Sequence, residues 1–269
     1  MTYGSVRRPG FQEPATPAPL VFLSAVRSAY VGPSLRLAPH RNAVACVALG
    51  LEQPFKLSAG GPPYEARSAL IPPNTLHQLM AGEGRMAFLY LDPVEGIAMG
   101  GPSWRQRSRS GVWLEHVDTP QVLGALTRHG VRPSDGRAVL ATIGALVAAS
   151  SARPERRVTS ALRRLESVVE GLDSSECRLD EVASGLGLSP SRARHLIRDV
   201  TGVPFRRYRT WVRLRVAARA LSQRASLTEA AYVAGFSSAA HFSTSFRVMF
   251  GLPPSALVSA STRFVVLQG

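Results

Sequence analysis

The sequence is poor in cysteine, in lysine and in acidic residues. Its 269 residues include 2 cysteines, and Lys56 is the only lysine among 32 basic residues. Cys46 and Cys177 are too few for a disulfide framework or a zinc-ligand cluster, which indicates a reducing compartment. The longest apolar run, Val139 to Ala149, is far shorter than a membrane span, and the N-terminal apolar stretch is too short for a signal peptide. We therefore expect a soluble, cytoplasmic protein without membrane association.

Motifs that carry catalysis are also missing. The sequence contains no nucleophile beside a base, no phosphate-cradling glycine loop and no carboxylate pair. Gly60-Gly61 is followed by Pro62-Pro63, and proline has no amide hydrogen to donate to a phosphate. We therefore predict no catalytic residues, no cofactor and no resident metal.

Basic residues outnumber acidic ones, and the excess is concentrated in one segment. The 32 basic and 18 acidic residues give a net charge of +14, which predicts a polyanionic partner, nucleic acid before an acidic membrane. Residues 1–152 carry +5 and residues 153–269 carry +9. Between Arg192 and Arg247 there are 11 basic residues and only 2 acidic ones. This density indicates a DNA-contacting surface, with a solvated charged face as the alternative.

The first half of the sequence has the pattern of a β-rich domain. Short apolar runs are separated by glycine and proline, as in an antiparallel sandwich or barrel. We predict strands at Ala43–Leu51, Ala69–Ile71, Met86–Leu91 and Gly111–Leu114.

Helical periodicity replaces this pattern from Pro120 onward. Pro120–His129 and Ser134–Ser150 are predicted helices, and the second is so apolar that it needs burial in a core or a dimer interface. Ala152-Arg153-Pro154 is the predicted domain boundary, and an amphipathic helix is predicted at Glu155–Leu172.

The C-terminal segment contains an internal repeat. Each copy has a short helix with a small alanine, a turn at glycine, a serine suited to an N-cap and a second helix that ends before glycine and proline. This order predicts two helix-turn-helix units. The first six matching residues recur after 48 positions and the last four after 49: Leu179, Glu181, Ala183, Gly187, Leu188 and Ser189 with Leu227, Glu229, Ala231, Gly235, Phe236 and Ser237, then Ile197, Arg198, Gly202 and Pro204 with Phe246, Arg247, Gly251 and Pro253.

A connecting helix is predicted between the two units, at Phe205–Ser222. Its roughly 18 residues would span about 27 Å at 1.5 Å per residue. Successive major grooves on one face of DNA are about 34 Å apart. One chain could therefore place two recognition helices in adjacent major grooves.

The segment from about Arg178 to Leu257 resembles the DNA-binding domain of the AraC/XylS family of transcription regulators. The resemblance implies sequence-specific binding to double-stranded promoter DNA, usually as an activator, with RNA polymerase as a partner. It also implies an N-terminal domain for effector sensing or dimerisation. The residues that carry it are Gly235-Phe236-Ser237-Ser238, His241-Phe242, Phe246-Arg247, Phe250-Gly251 and Pro253-Pro254, with Arg213-Leu214 and Ala217 in the connecting helix.

The resemblance also assigns DNA-contacting residues. Ser191, Arg194 and His195 of the first recognition helix would face base edges, with Arg194 the best candidate for a bidentate guanine contact. The second recognition helix has short side chains where longer polar ones are common, so its direct readout is expected to be weaker. The remaining predicted contacts are Arg192, Arg198, Arg206, Arg207 and Arg247 on phosphates or at the rim, and Ala240, His241, Ser243 and Thr244 on the second helix.

Two histidines are candidates in the N-terminal domain. The run Ile71–His77 resembles the second motif of cupin barrels, in which a turn precedes an inward-facing histidine. The residues around His40 lack the His-x-His and trailing Glu of the first cupin motif, so a catalytic metal is not expected. We assign His40 and His77 to effector binding, with an ordinary hydrogen-bonded core histidine as the alternative for His77.

Together these observations predict an α+β multidomain protein. A cupin-like β-barrel with two helices occupies residues 21–152, and an all-α domain with two helix-turn-helix units joined by a linker helix occupies residues 153–260. Residues 1–20 and 261–269 are predicted tails. The predicted function is DNA-binding transcription regulation, as a possible homodimer with a small-molecule effector. The alternatives are a cupin-type metalloenzyme tethered to DNA and a non-specific architectural DNA protein.

Overall fold

The computed structural model describes residues 17–93, 100–128, 130–148, 160–161, 164–165, 177–258 and 261–268. Residues 1–16 of the tail predicted at residues 1–20, the domain boundary near Pro154 and most of the helix predicted at Glu155–Leu172 lie outside these residues. The last residue of that predicted tail, Leu20, is instead the first residue of a strand.

The N-terminal domain is built from short strands, as the glycine- and proline-broken apolar pattern predicts. A strand near the C-terminus of the chain completes its larger sheet. The strands are β1 Leu20–Leu23, β2 Arg27–Pro33, β3 Ala45–Gly50, β4 Phe55–Ser58, β5 Tyr64–Ala66, β6 Ser68–Ile71, β7 Gln78–Ala81, β8 Arg85–Leu91, β9 Trp104–Arg107, β10 Trp113–His116 and β11 Arg263–Val266.

Hydrogen bonding arranges the described strands in two sheets. The order is β11-β1-β2-β8-β3-β6-β10-β9 in the larger sheet and β5-β4-β7 in the smaller. The central strands are apolar on both faces, because β3 and β8 each separate two clusters of buried side chains. One cluster, which includes Val47 and Leu89, lies under the helices that follow the strands, and the other, which includes Phe55 and Phe88, lies between the sheets.

Two helices cover one face of the larger sheet, α1 at Thr119–Thr127 and α2 at Gly136–Ala148. Val139, Ile143 and Leu146 of α2 are buried in the same cluster as Val47 of β3. The apolar helix predicted at Ser134–Ser150 is thus buried in the core of the domain, which is one of the two predicted alternatives, a core or a dimer interface.

The C-terminal domain is helical and repeats one local structure twice. In each unit a glycine with positive φ, Gly187 (φ 66°) or Gly235 (φ 72°), makes the turn after the first helix. Ser189 caps the second helix of the first unit, as predicted. In the second unit the cap is Ser238 and not Ser237, the serine that the repeat aligns with Ser189. The helices are α3 Leu179–Leu186, α4 Pro190–Thr201, α5 Phe205–Ser222, α6 Leu227–Val233, α7 Ala239–Phe250 and α8 Pro254–Leu257. The predicted α+β architecture, with paired helix-turn-helix units joined by a linker helix, is confirmed.

Strand β11 departs from the sequence-based expectation. The sequence predicts only a tail at residues 261–269, whereas Arg263–Val266 pairs in parallel with β1 at the edge of the larger sheet. Phe264 and Val265 contact the two apolar clusters of the N-terminal domain. Four residues are too few to show periodicity, so only the tertiary contact reveals this strand, and it returns the chain end to the first domain.

Candidate nucleic-acid interface and interdomain cavity

The first recognition helix, α4, has one buried face and one exposed face. It begins at Pro190, where a missing N–H is harmless, and the Ser189 hydroxyl accepts a hydrogen bond from the Arg192 backbone N–H at 3.4 Å. Ala193 and Ile197 are buried against the rest of the domain. All five predicted contact residues on this helix are exposed on its outward face: Ser191, Arg192, Arg194, His195 and Arg198.

The second recognition helix, α7, is built in the same way but carries a shorter, less charged outward face. Phe242 and Met249 are buried. His241 is partly engaged, because its Nδ1 lies 3.0 Å from the Ser237 hydroxyl. Of the predicted contacts, Ala240, His241, Thr244 and Arg247 are exposed and Ser243 is half-buried.

The connecting helix α5 contributes two further predicted contacts, in different surroundings. Arg206 is exposed. Arg207 is half-buried and its guanidinium donates to the Arg41 backbone carbonyl at 2.9 Å. Burial lowers the pKa of Arg207, and the charge of Arg41 lowers it further. In this arrangement Arg207 faces the N-terminal domain, so its role at phosphates stays a prediction.

The end of α7 docks on a loop of the N-terminal domain. The Asn42 side-chain amide donates to the Met249 carbonyl at 2.9 Å, and the Ala38 backbone N–H donates to the Gly251 carbonyl at 2.8 Å. The Ala43 backbone N–H also points at the Met249 sulfur, 3.0 Å away. These bonds fix the position of the second helix-turn-helix unit against the first domain.

A buried carboxylate links α5 to the end of β8. Asp92 is 1% exposed and accepts hydrogen bonds from Trp211 Nε1 and Arg215 Nη1, both at 2.8 Å. The Arg215 guanidinium also donates to the Ala25 carbonyl. No local motif in the sequence singles out Asp92 or Arg215. The one available sign was an acidic residue directly after an apolar strand.

An apolar cavity of about 90 Å³ lies between the two domains. Aromatic side chains from both sides form much of its wall, and the Tyr90 and Phe250 rings meet edge to face at 5.3 Å. Arg215 supplies a charged group in the lining. Other lining residues include Val21, Tyr30 and Phe88 from the N-terminal domain and Trp211, Phe242 and Phe246 from the C-terminal domain.

The two predicted effector residues lie together, outside the lining of this cavity. His40 and His77 form an isolated antiparallel bridge, and their ring centroids are 4.3 Å apart. Both are buried, at 4% and 2% exposure. Burial lowers the pKa of both rings, and the neighbouring His40 helps to lower that of His77 to about 4. Their assignment to effector binding stays a prediction.

Two further features concern metals and membranes. Within the described residues, no group of three or more His, Cys, Asp or Glu side chains is placed to hold a metal ion. No helix in the described part of the chain is long and apolar enough to cross a membrane.

The sequence of the C-terminal domain matches known proteins. A family model described as a helix-turn-helix domain matches residues 182–260. The HTH-type transcriptional regulator GlxA of Rhizobium meliloti is 38% identical over 97 residues. The C-terminal domain belongs to the AraC/XylS family. The match to GlxA covers 35% of this chain and 30% of that relative, so it concerns the AraC-type domain alone.

The arrangement of both domains together resembles solved structures. ToxT from Vibrio cholerae superposes with a TM-score of 0.58 over 86% of this chain and 97% of ToxT, at 12% identity. ToxT with a bound unsaturated fatty acid gives a TM-score of 0.55 over 86% of this chain and 94% of ToxT, at 15% identity. At this identity the likeness concerns the fold alone. It covers both domains, so this chain and ToxT share a two-domain architecture.

Proposed function

We propose that this protein is a cytoplasmic transcription regulator, an activator, that binds promoter DNA through both helix-turn-helix units. The observation that carries the proposal is the repeat of one folding unit with an exposed, basic recognition helix in the first copy. Arg192, Arg194 and Arg198 are exposed there, where guanidinium groups can reach phosphates and base edges. RNA polymerase and a second copy of the chain are the expected protein partners.

The DNA-reading role of Arg194 can be separated from simple charge attraction. Genome-wide mapping of binding sites first defines a promoter sequence, and binding is then measured on that site and on random DNA. Because a bidentate guanine contact contributes about 1–3 kcal/mol of discrimination, Arg194→Ala should lose about 5- to 150-fold on the promoter and little on random DNA. Equal losses on both DNAs would remove Arg194 from base readout.

Arg206→Ala is the matched control, because Arg206 is also exposed but lies on the connecting helix. As a phosphate contact it should weaken binding to both DNAs alike and reduce the salt dependence by about one counterion. A selective loss on the promoter with this variant would contradict its role as a phosphate contact.

We further propose that the interdomain cavity binds an apolar effector with a carboxylate. The wall is almost wholly apolar, and Arg215 is a cation at its edge that can meet a carboxylate. The fatty acid bound by ToxT, which shares this fold, belongs to the same chemical class. Benzene binds in an apolar cavity of about 150 Å³. The interdomain cavity has a volume of about 90 Å³, so a ligand longer than benzene can enter it only if the two domains move apart.

Effector binding would then act on the contacts between α5 and the N-terminal domain. A carboxylate that takes Arg215 away from Asp92 would weaken the link between α5 and β8. The proposed regulation is therefore a change in how the N-terminal domain holds α5 and α7, and through them in the spacing of the recognition helices.

A cavity-filling variant tests the effector site. Oleate should raise the thermal unfolding temperature of the wild type, because a ligand bound to the folded state stabilises it. Ala218→Phe places a ring in the cavity lining and should abolish this increase. The matched control is Ala256→Phe at an exposed position of α8. If both variants respond to oleate as the wild type does, the cavity is not the effector site.

A further inference from the structure

His40 and His77 are neighbours across two loops of the N-terminal domain, at the edge of the AraC-type domain. Their backbones exchange both hydrogen bonds of an antiparallel pair, at 2.9 and 3.0 Å. Directly opposite residues of such a pair project their side chains to the same face. The rings are accordingly close, with centroids 4.3 Å apart and planes inclined by 56°. The bridge therefore brings two imidazole rings together at one place in the fold.

Both rings are fixed in the same tautomer. Nδ1 of each histidine lies 2.9 Å from the backbone carbonyl two residues earlier, Ala38 for His40 and Thr75 for His77. Because a carbonyl oxygen only accepts, both Nδ1 atoms carry the hydrogen and both Nε2 atoms carry a lone pair. Metal-binding histidines have this arrangement, in which one nitrogen donates to a carbonyl and the other binds the ion.

One of these lone pairs is buried without a partner. His77 is 2% exposed, and its Nε2 has no hydrogen-bond partner. An unpaired buried polar atom destabilises the folded state. A cation bound at Nε2 would give this lone pair a partner.

The surroundings decide which cation suits the pair. A Cβ atom placed on Gly251 would lie 2.7 Å from His40 Nδ1, so the pair abuts the C-terminal end of α7, whose dipole favours positive charge. Arg41, next to His40, and Arg207, which donates to the Arg41 carbonyl, add positive charge to the same edge. The ion must therefore bind imidazole strongly. Zn²⁺, Cu²⁺ and Ni²⁺ meet this requirement, whereas Mg²⁺ and Ca²⁺ prefer oxygen ligands.

We propose that His40 and His77 bind one divalent, imidazole-preferring transition-metal ion, such as Zn²⁺, through their Nε2 atoms. Two protein ligands leave the remaining coordination positions to water or to an exogenous ligand. The site joins two loops of the N-terminal domain where they meet the end of α7, outside the strands of both sheets. Occupancy would stiffen the surface on which the second helix-turn-helix unit is docked.

The proposal is tested by titrating Zn²⁺ into the chelator-stripped full chain and measuring the heat of binding. The wild type should bind one ion per chain. Since loss of even an outer-shell partner weakens metal binding about 10- to 100-fold, His40→Asn and His77→Asn should each lose at least about tenfold in affinity. Unchanged affinity in both variants would overturn the proposal.

His116→Asn is the matched control. His116 is also 2% exposed and its Nε2 also lacks a hydrogen-bond partner. Its Nδ1, however, accepts a hydrogen bond from the Asp118 N–H, so it is the opposite tautomer, and it lies beside Trp104 rather than beside another histidine. This variant should bind Zn²⁺ as the wild type does. An equal loss in His116→Asn would show that the affinity change is a general effect of replacing a buried histidine.

Paramagnetic resonance of bound Cu²⁺ gives a readout that does not depend on variants at the pair. The exposed His195 and His241 are first replaced by glutamine to remove surface binding. One equivalent of Cu²⁺ should then show coupling to two imidazole nitrogens. A spectrum with one imidazole or none would contradict the proposed site, even if His77→Asn fails to fold.

Discussion

The two helix-turn-helix units share a local structure and differ in what surrounds them. Helices α4 and α7 have 12 residues each, start after a capping serine and end at a glycine with positive φ, 74° at Gly202 and 78° at Gly251. A Cβ on Gly202 would lie at an ordinary 3.6 Å from Pro73. A Cβ on Gly251 would lie 2.5 Å from the Ala38 carbonyl oxygen. The N-terminal domain is thus in ordinary van der Waals contact with the end of α4, whereas its backbone packs closely against the end of α7.

The outward faces of the two helices differ in a complementary way. Helix α4 exposes Arg194 and His195, which are predicted to face base edges, while α7 exposes Ala240 and Thr244. The unit with the richer reading surface is therefore the one with fewer contacts to the N-terminal domain. We infer a division of work, in which the first unit supplies most sequence discrimination and the second transmits the state of the domain interface.

The largest expected effect comes from breaking the link between α5 and β8. Arg215→Met removes one charged donor from the buried Asp92 carboxylate, and breaking a buried pair typically destabilises by about 3–5 kcal/mol. Because the Arg215 side chain is 17% exposed, we expect the lower end, about 3 kcal/mol, in urea denaturation. The control is Arg219→Met, one turn further along α5 and exposed, which should change stability by less than about 0.5 kcal/mol. Equal effects would show that Asp92 does not depend on Arg215.

A pH effect should follow from the histidine pair. The pKa of His77 is about 4 when folded and about 6.5 when unfolded, so between these values the unfolded chain binds more protons. Stability should therefore fall by up to about 3 kcal/mol as the pH drops from about 6.5 to 4. Denaturation curves in the presence of a chelator should show this slope in the wild type and a shallower one in His77→Asn. The same slope in both would assign the effect to other groups.

The paired glycines give the most direct test of the difference between the units. Alanine at either position meets the same positive φ, which destabilises by about 1 kcal/mol or more. Only Gly251→Ala also meets backbone atoms of the N-terminal domain, and overpacking adds about 1–3 kcal/mol. We expect Gly251→Ala to lower the free energy of unfolding by at least about 1 kcal/mol more than Gly202→Ala. Equal losses would mean that the two units are held alike.

The smallest effect is predicted on the reading surface of the second unit. Thr244 can offer a thymine methyl contact or one hydrogen bond. Thr244→Ala should thus weaken promoter binding by no more than about 1 kcal/mol, less than the loss expected for Arg194→Ala. Fluorescence anisotropy on the same promoter fragment measures both. A larger loss for Thr244→Ala would move the main readout to the second helix.

The repeat, the turn glycines, the capping serine of the first unit and the two domain classes follow from sequence patterns alone. These features depend on residues close together in the chain, where glycine conformation, capping and apolar periodicity act locally. The outward face of α4 is predictable for the same reason, since the helical period determines which side chains lie opposite the buried ones. Ser191, Arg192, Arg194, His195 and Arg198 are all exposed for that reason.

The way in which the two domains meet depends on residues that lie far apart in the chain. Asp92 and Arg215 are more than a hundred positions apart, Asn42 and Met249 more than two hundred, and no local pattern relates such residues. The same holds for strand β11, the interdomain cavity and the closeness of His40 to His77. Each of these features depends on which surfaces pack together. Desolvation and close packing act between groups that are near in space, and these groups are distant in the sequence.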